Sequence, residues 1–298
     1  MKNSLPLVLG TAQLGLPYGI ANSTGKPDPG MAEAIIQTAW ENGIREFDTA
    51  QGYGESEQVI GKALTRLGIN NQARVISKLS PKLNHLDSQA LKISLEQSLD
   101  RLKIANLYSL MLHREELLDF WENGLRETLA GFVKSGYVKY IGVSVYTPEK
   151  ATKALKTGLI DIIQIPTSML DQRFIRAGVF ETAVNYGKAV YIRSVFLQGL
   201  MLMSPENLPL NMKCALPLVS AIELFSSRYK LSKQRIALNY LRVKCSEAKI
   251  IFGAESPEQV LENIDCWHGD IPQSLIEEID NTFSTVDEEI LNPALWSK

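Results

Sequence analysis

Four side chains in the first half of the chain have the chemistry to hand a proton to a carbonyl oxygen: Asp48, Tyr53, Lys78 and His113. A free phenol titrates near pKa ~10, too high for an efficient acid–base group at neutral pH. A lysine ammonium beside it favours the phenolate and lowers that value. An aspartate next to the lysine keeps it charged and fixes its place. A histidine at the same oxygen orients the carbonyl and helps to donate a hydrogen bond. Singly, each has an ordinary explanation: Asp48 as a loop cap, Tyr53 as a rim aromatic, Lys78 as a solvated charge, His113 as a structural imidazole. Their order is what singles them out, because they end or follow three successive apolar runs.

Those runs belong to a longer series. Strands are predicted at Leu7–Gly10, Ile44–Asp48, Arg74–Lys78, Leu107–Leu112, Tyr140–Ser144, Ile162–Pro166, Ala189–Ser194 and Lys249–Phe252. They are nearly continuous in apolar residues, as strands buried on both faces of a parallel sheet must be. Helical patterns fill the gaps. Asp28-Pro29, Thr147-Pro148-Glu149 and Ser256-Pro257-Glu258 each read as an N-cap followed by proline in the first turn. Glu57, near the start of another helix, is expected to favour the helix dipole. A tail helix follows the eighth unit, over about 272–284. Eight alternating units in 298 residues predict an α/β chain folded as one (β/α)8 barrel domain over 1–298. An open dinucleotide-binding sheet would show a GxGxxG turn after its first strand, and Gly10-Thr11-Ala12-Gln13-Leu14-Gly15 does not match it. In such a barrel, active-site groups gather where the strands end at the C-terminal face. That is where all four candidates fall.

The segment Phe47-Asp48-Thr49-Ala50-Gln51-Gly52-Tyr53-Gly54-Glu55-Ser56-Glu57 resembles the aldo/keto reductase signature, in which Asp-Thr-Ala precedes Tyr-Gly. Lys78 and His113 stand in the matching places after the next two strands, and the resemblance runs from Leu7 to about Asn263. It implies NAD(P)H-dependent reduction of an aldehyde or ketone. Tyr53 would then be the general acid, Lys78 and Asp48 would tune it, and His113 would position the carbonyl. The same resemblance assigns the cofactor side. Ser144 and Gln164 match residues that bind the nicotinamide carboxamide. Arg193 stands where the family commonly has an aromatic ring stacked on the nicotinamide. A guanidinium plane can stack, but it sits badly beside a cationic ring. Alternatives for Arg193 are an anionic or polyhydroxyl substrate, or a salt bridge to Asp171. Ser194 and Phe196 match contacts to the pyrophosphate region. The stretch from Phe252 through Gly253, Glu255, Gln259 and Asn263 resembles the adenosine loop, and it opens a helix whose free N–H groups favour anions. A capping box with Ser256 is the local alternative for Gln259.

NADP(H) is the cofactor the resemblance implies. Gly253 and Gln259 replace the usual basic residues, however, and Glu255 would repel a 2′-phosphate, so NAD(H) is expected to be usable as well. Gln13, Tyr18 and Arg114 are the candidate substrate contacts, with Tyr146 and Arg193 also within reach. This polar lining, with a strand-seven stretch like that of bacterial relatives acting on sugar-like compounds, favours a small sugar-like carbonyl. Net charge is −2, from 31 basic and 33 acidic residues, which gives no field for nucleic acid or an anionic membrane. The opening Met1–Pro6 stretch is too short for a signal sequence, and no run approaches the ~18 apolar residues of a membrane span. Cys214, Cys245 and Cys266 are widely spaced, as are His85, His113 and His268. Reduced thiols, a cytoplasmic location and no metal are therefore expected. Two other functions fit a barrel with these residues: a nucleotide-binding regulatory subunit of the same fold, and a lyase or isomerase using Lys78 as a Schiff base. Oligomeric state is not legible.

Overall fold

A computed structural model describes residues 5–296; the opening segment 1–4 lies outside the described residues. Eight parallel strands close into a barrel in sequence order. They are β1 (Leu7–Gly10), β2 (Glu46–Asp48), β3 (Arg74–Lys78), β4 (Leu107–Leu112), β5 (Val138–Ser144), β6 (Ile160–Pro166), β7 (Ala189–Arg193) and β8 (Lys249–Gly253). β1 pairs with both β2 and β8, which closes the ring. The outer layer is α1 (Pro29–Glu41), α2 (Ser56–Leu67), α3 (Ser88–Leu102), α4 (Arg126–Lys134), α5 (Pro148–Lys156), α6 (Val179–Asn185), α7 (Leu216–Tyr229), α8 (Lys233–Lys244) and α9 (Pro257–Trp267). The tail helix α10 (Gln273–Thr282) follows. Among the described residues, no helix is long and apolar enough to cross a membrane.

The expected caps form. The side chains of Asp28, Thr147 and Ser256 accept from the backbone N–H of Met31, Lys150 and Gln259, and each precedes a proline in the first turn. Strand residues alternate cleanly between two cores. Leu9, Phe47, Val75, Val143, Ile163, Ile192 and Phe252 pack outward into the large cluster beneath the helices. Val8, Ile76, Met111, Ile162, Tyr191 and Ile251 fill the barrel interior. This two-residue period fixes which strand-end side chains turn inward at the top. Glu57 lies in the first turn of α2, as expected, and is in addition buried, accepting from Ser77 Oγ at 2.6 Å and paired with Arg101 of α3 at 2.7 Å.

Candidate active site

Counting by twos from the interior residues brings Gly10, Asp48, Lys78, Ser144, Gln164, Arg193 and Gly253 to the inner rim of the barrel's C-terminal end. A pocket of about 520 Å3 opens there, and all of these except Lys78 line it. Lys78 lies beneath. Its Nζ donates to both carboxylate oxygens of Asp48 (2.8 and 2.6 Å) and to the Thr49 carbonyl (3.0 Å). Gln164 Nε2 adds a bond to Asp48 Oδ1 at 2.8 Å. Both members of the pair are nearly inaccessible, at 1% and 6% side-chain exposure, so the aspartate is held by partners rather than by water.

Tyr53 is carried by the tight loop after β2, where its N–H donates to the Ala50 carbonyl and its carbonyl accepts from Ser56. Gly15 is required opposite this loop, because a Cβ there would collide with the Tyr53 carbonyl and Ser56. The Tyr53 ring meets His113 edge to face, with centroids 6.0 Å apart, and Lys78 Nζ lies 5.1 Å from its centroid. Lys78 is expected from the sequence to lower the Tyr53 pKa, but other groups outweigh it in the structure. Burial, followed by the Asp48 charge, pushes the phenol well above its ordinary value. The three protons of Lys78 are all spent on Asp48 and Thr49, so none is left for the phenol. Lys78 itself is lowered by burial, against the pull of Asp48. His113 is lowered to about 4, by burial first and then by Lys78 and Arg193, so its imidazole is neutral near pH 7. Its Nδ1 is buried without a partner.

The rest of the pocket lining gathers the other candidates. Gln13, Tyr18, Ser144, Arg193, Ser194, Phe196, Gly253, Glu255, Gln259 and Asn263 all line it. Gln13 lies across Gly253, where a Cβ would strike its amide, so it belongs to the β8 side of the pocket. Arg114 is not brought in. It is exposed and absent from the lining, because His113 takes the inward position and the next residue turns out. Arg193 makes no ion pair with Asp171, which is held by Arg173 at 2.8 Å. Its guanidinium instead lies 4.2 Å from the Tyr146 ring centre. Gln259 forms half of the expected capping box. Its N–H donates to Ser256 Oγ, but its side-chain oxygen accepts from Glu255 N at 2.8 Å rather than from Ser256. Burial raises the Glu255 carboxyl above its usual range.

Several pocket residues escaped sequence reasoning. Gln234 and Glu262 line it, and so does a bridge between two loops. Gln198 accepts from Ile20 N at 3.0 Å, and Gly199 lies against Ala21. Ser194, Leu197 and Gln198 all have positive φ (62°, 48° and 55°), costly for side chains of this kind and typical of functional turns. No local pattern announces that bridge, since its halves are far apart in sequence.

A dinucleotide is compatible with these residues. Asn263 Oδ1 is buried and has no partner, while its Nδ2 donates to the Gln259 carbonyl at 2.8 Å, so an acceptor stands ready for an amino group such as that of adenine. The first turn of α9 also reaches the pocket, through Gln259.

The barrel rim gathers an acid–base cluster and a dinucleotide-compatible set of polar groups into one pocket, an arrangement that fits an oxidoreductase. The aldo/keto reductase family model matches residues 6–283, and the chain belongs to that family. It is similar to the NADH-specific methylglyoxal reductase of Escherichia coli strain K12 (26% identical, spanning 77% of this chain and 80% of that one). It also resembles the L-glyceraldehyde 3-phosphate reductase of the same strain (28% identical, 56% of this chain and 53% of that one). The fold is that of an aldo-keto reductase from Bacillus halodurans (TM-score 0.76, 22% identical, 96% and 95% covered). A Klebsiella pneumoniae aldo/keto reductase solved with NADP and acetate also matches it (TM-score 0.72, 19% identical, 94% and 92% covered). The protein is therefore an NAD(P)H-dependent oxidoreductase that reduces carbonyl compounds.

Proposed function

We propose that Tyr53 is the proton donor of this reduction, His113 the residue that orients the carbonyl, and the Lys78–Asp48 pair their support. The observation that carries the reading is the edge-to-face pairing of Tyr53 with a neutral His113 at the pocket wall, above a fully hydrogen-bonded Lys78–Asp48 pair. A phenol held above its ordinary pKa is a weaker acid, but it is protonated at neutral pH and can still give its hydrogen to a developing alkoxide, which is more basic than a phenolate. A neutral imidazole has one N–H. With Nδ1 unpartnered, placing that hydrogen on Nε2 lets His113 donate to the same oxygen. Asp48 fixes Lys78, and Gln164 fixes Asp48. The nicotinamide supplies the hydride when bound.

Ser144, Gln164, Ser194 and Phe196 would hold the reactive half of the dinucleotide, and Gly253, Glu255, Gln259 and Asn263 its adenosine half. Glu255 and Glu262 line the pocket at that end, where a 2′-phosphate would need cations. An acidic residue there suits a free ribose hydroxyl. We read the enzyme as using NADH readily, with weak discrimination against it. The similarity to an NADH-specific relative agrees. Cys214, Cys245 and Cys266 are free thiols, which supports a cytoplasmic location. Following NADH and NADPH oxidation against a panel of small aldehydes and ketones tests the reading. Carbonyl-dependent oxidation is the expected result. Dinucleotide binding without turnover on any carbonyl would instead mark a nucleotide-binding regulatory protein.

A further inference from the structure

Among the described residues that line the pocket, Arg193 carries the only positive charge. It stands at the end of β7, turned inward by the same alternation that buries Tyr191. Its guanidinium carbon lies over the Tyr146 ring, 4.2 Å from the centroid, and the Tyr146 N–H is itself tied to Glu115 at 2.6 Å. Nη1 reaches Ser194 Oγ only at 3.4 Å. Nη2 is shut off from solvent and has no acceptor at all. No carboxylate among the described residues lies within ion-pair reach of it. Asp48, at the same rim, is already paired with Lys78. The Arg193 charge is felt by Tyr18, Tyr53 and His113, so the guanidinium sits beside the place where the carbonyl must lie. A buried cationic donor without an acceptor is costly, and it favours whatever ligand brings one.

We propose that Arg193, held over the Tyr146 ring, is an anion-recognition residue, and that the carbonyl compounds this enzyme prefers carry a carboxylate or phosphate near the reacting carbon. The inference rests on the carbonyl-reductase reading. The anion pairs with the guanidinium from the side on which Arg193 lines the pocket, and the Tyr146 ring keeps the fork from swinging to solvent. Sugar-like hydroxyls alone would not neutralise this charge.

The test compares matched substrates: succinic semialdehyde against butanal, and glyceraldehyde 3-phosphate against glyceraldehyde. Wild-type kcat/KM should favour the anionic member of at least one pair by about tenfold or more, as a charge-assisted bond implies. Which pair does so tells carboxylate from phosphate. Arg193→Gln should bring the ratio towards one, while Arg193→Lys keeps part of it, a point charge without the planar fork. A wild-type ratio near one, or a ratio that survives Arg193→Gln, overturns the proposal. So does a raised Kd for NADH in Arg193→Gln with the ratio unmoved, because the guanidinium then serves the cofactor. Calorimetry of butanoate against butanamide, on the protein alone and with NADH, reads the anion site without turnover. If no carbonyl is reduced yet butanoate binds in an Arg193-dependent way, the anion site stands and the reductase reading falls. Failure of butanoate to bind better than butanamide counts against the anion site.

Discussion

Two carboxylates stand two residues apart on β2 and face the same way, into the barrel: Glu46 at its base and Asp48 at its top. Both are nearly inaccessible, at 3% and 4% exposure. Both are paired with lysine, Glu46 with Lys249 and Asp48 with Lys78. Glu46 also takes Arg74 at 3.2 Å and the Tyr191 hydroxyl at 2.7 Å, whose phenol is held far above its ordinary pKa by burial and by that carboxylate. The charges at the base are saturated by one another, and the cluster plugs the barrel. At the top, Asp48 is equally well held, but its neighbours are not. His113 Nδ1, Arg193 Nη2 and Asn263 Oδ1 lack partners, and all three residues line the pocket. A buried charge by itself therefore says little about function. Partnerless polar groups say more where they line a cavity that a ligand can enter, unlike those of His85, Ser109, Trp121, Asn239 and Arg242, which lie outside the pocket lining.

Breaking each cluster in turn should separate the two roles most widely. Lys78→Met strands the Asp48 charge in a dry site, for which a stability loss of about 3–5 kcal/mol is expected. It should also remove most turnover, because the phenol then faces Asp48 without a counter-charge. Glu46→Gln should lower stability while the folded enzyme keeps its turnover. Denaturant unfolding and steady-state rates on both variants check this. Equal loss of turnover in the two would erase the distinction between base and top.

The next effect concerns protons. The His113 imidazole takes up its proton at about 4 in the folded chain, against 6.5 when free. Between those values the unfolded chain binds the extra proton, so stability falls as pH drops through this window and levels off below about 4. Histidine NMR titration should show a resonance that stays neutral through pH 5 and vanishes in His113→Gln, which tells it from His85, itself lowered by burial and by Arg114. A His113 titrating near 6.5 would mean that the pocket is wetter than its burial indicates.

The smallest effect lies at the adenosine end. Glu255→Ser should shift the ratio of NADPH to NADH dissociation constants towards NADPH by about tenfold, the size of one removed repulsion or added charge-assisted contact. A wild-type preference for NADPH above ~100-fold, unchanged by the substitution, would put Glu255 away from the 2′ position.

Much of this was legible in the sequence because strands buried on both faces leave little ambiguity. β1, β3 and β4 have the predicted ends, and β5 and β6 merely begin two residues earlier, at Val138 and Ile160. Asp48, Tyr53 and His113 meet in one pocket, with Lys78 beneath, because a barrel brings successive strand ends to one rim. Contacts that cross the barrel were not legible. Gln164 reaching Asp48, Tyr146 beneath Arg193, and the bridge from Gln198 to Ile20 join segments with no shared local pattern. The base cluster left one usable sign. Glu46 stands two before Asp48 in a strand, so it had to share its face. Arg114 was misplaced by neglecting the same rule, and the Tyr53 pKa by counting Lys78 as free when its protons were already committed.

The most direct measurement is the hydride-transfer rate of Tyr53→Phe, taken in single turnover with prebound NADH and a saturating reactive aldehyde, alongside the Kd for NADH. Losing only the phenolic hydrogen should slow the reaction by ~100-fold or more while cofactor affinity stays nearly constant. A Tyr53→Phe enzyme that transfers hydride at the wild-type rate would remove Tyr53 as the proton donor, and with it the account of the top cluster as the reacting end of the barrel.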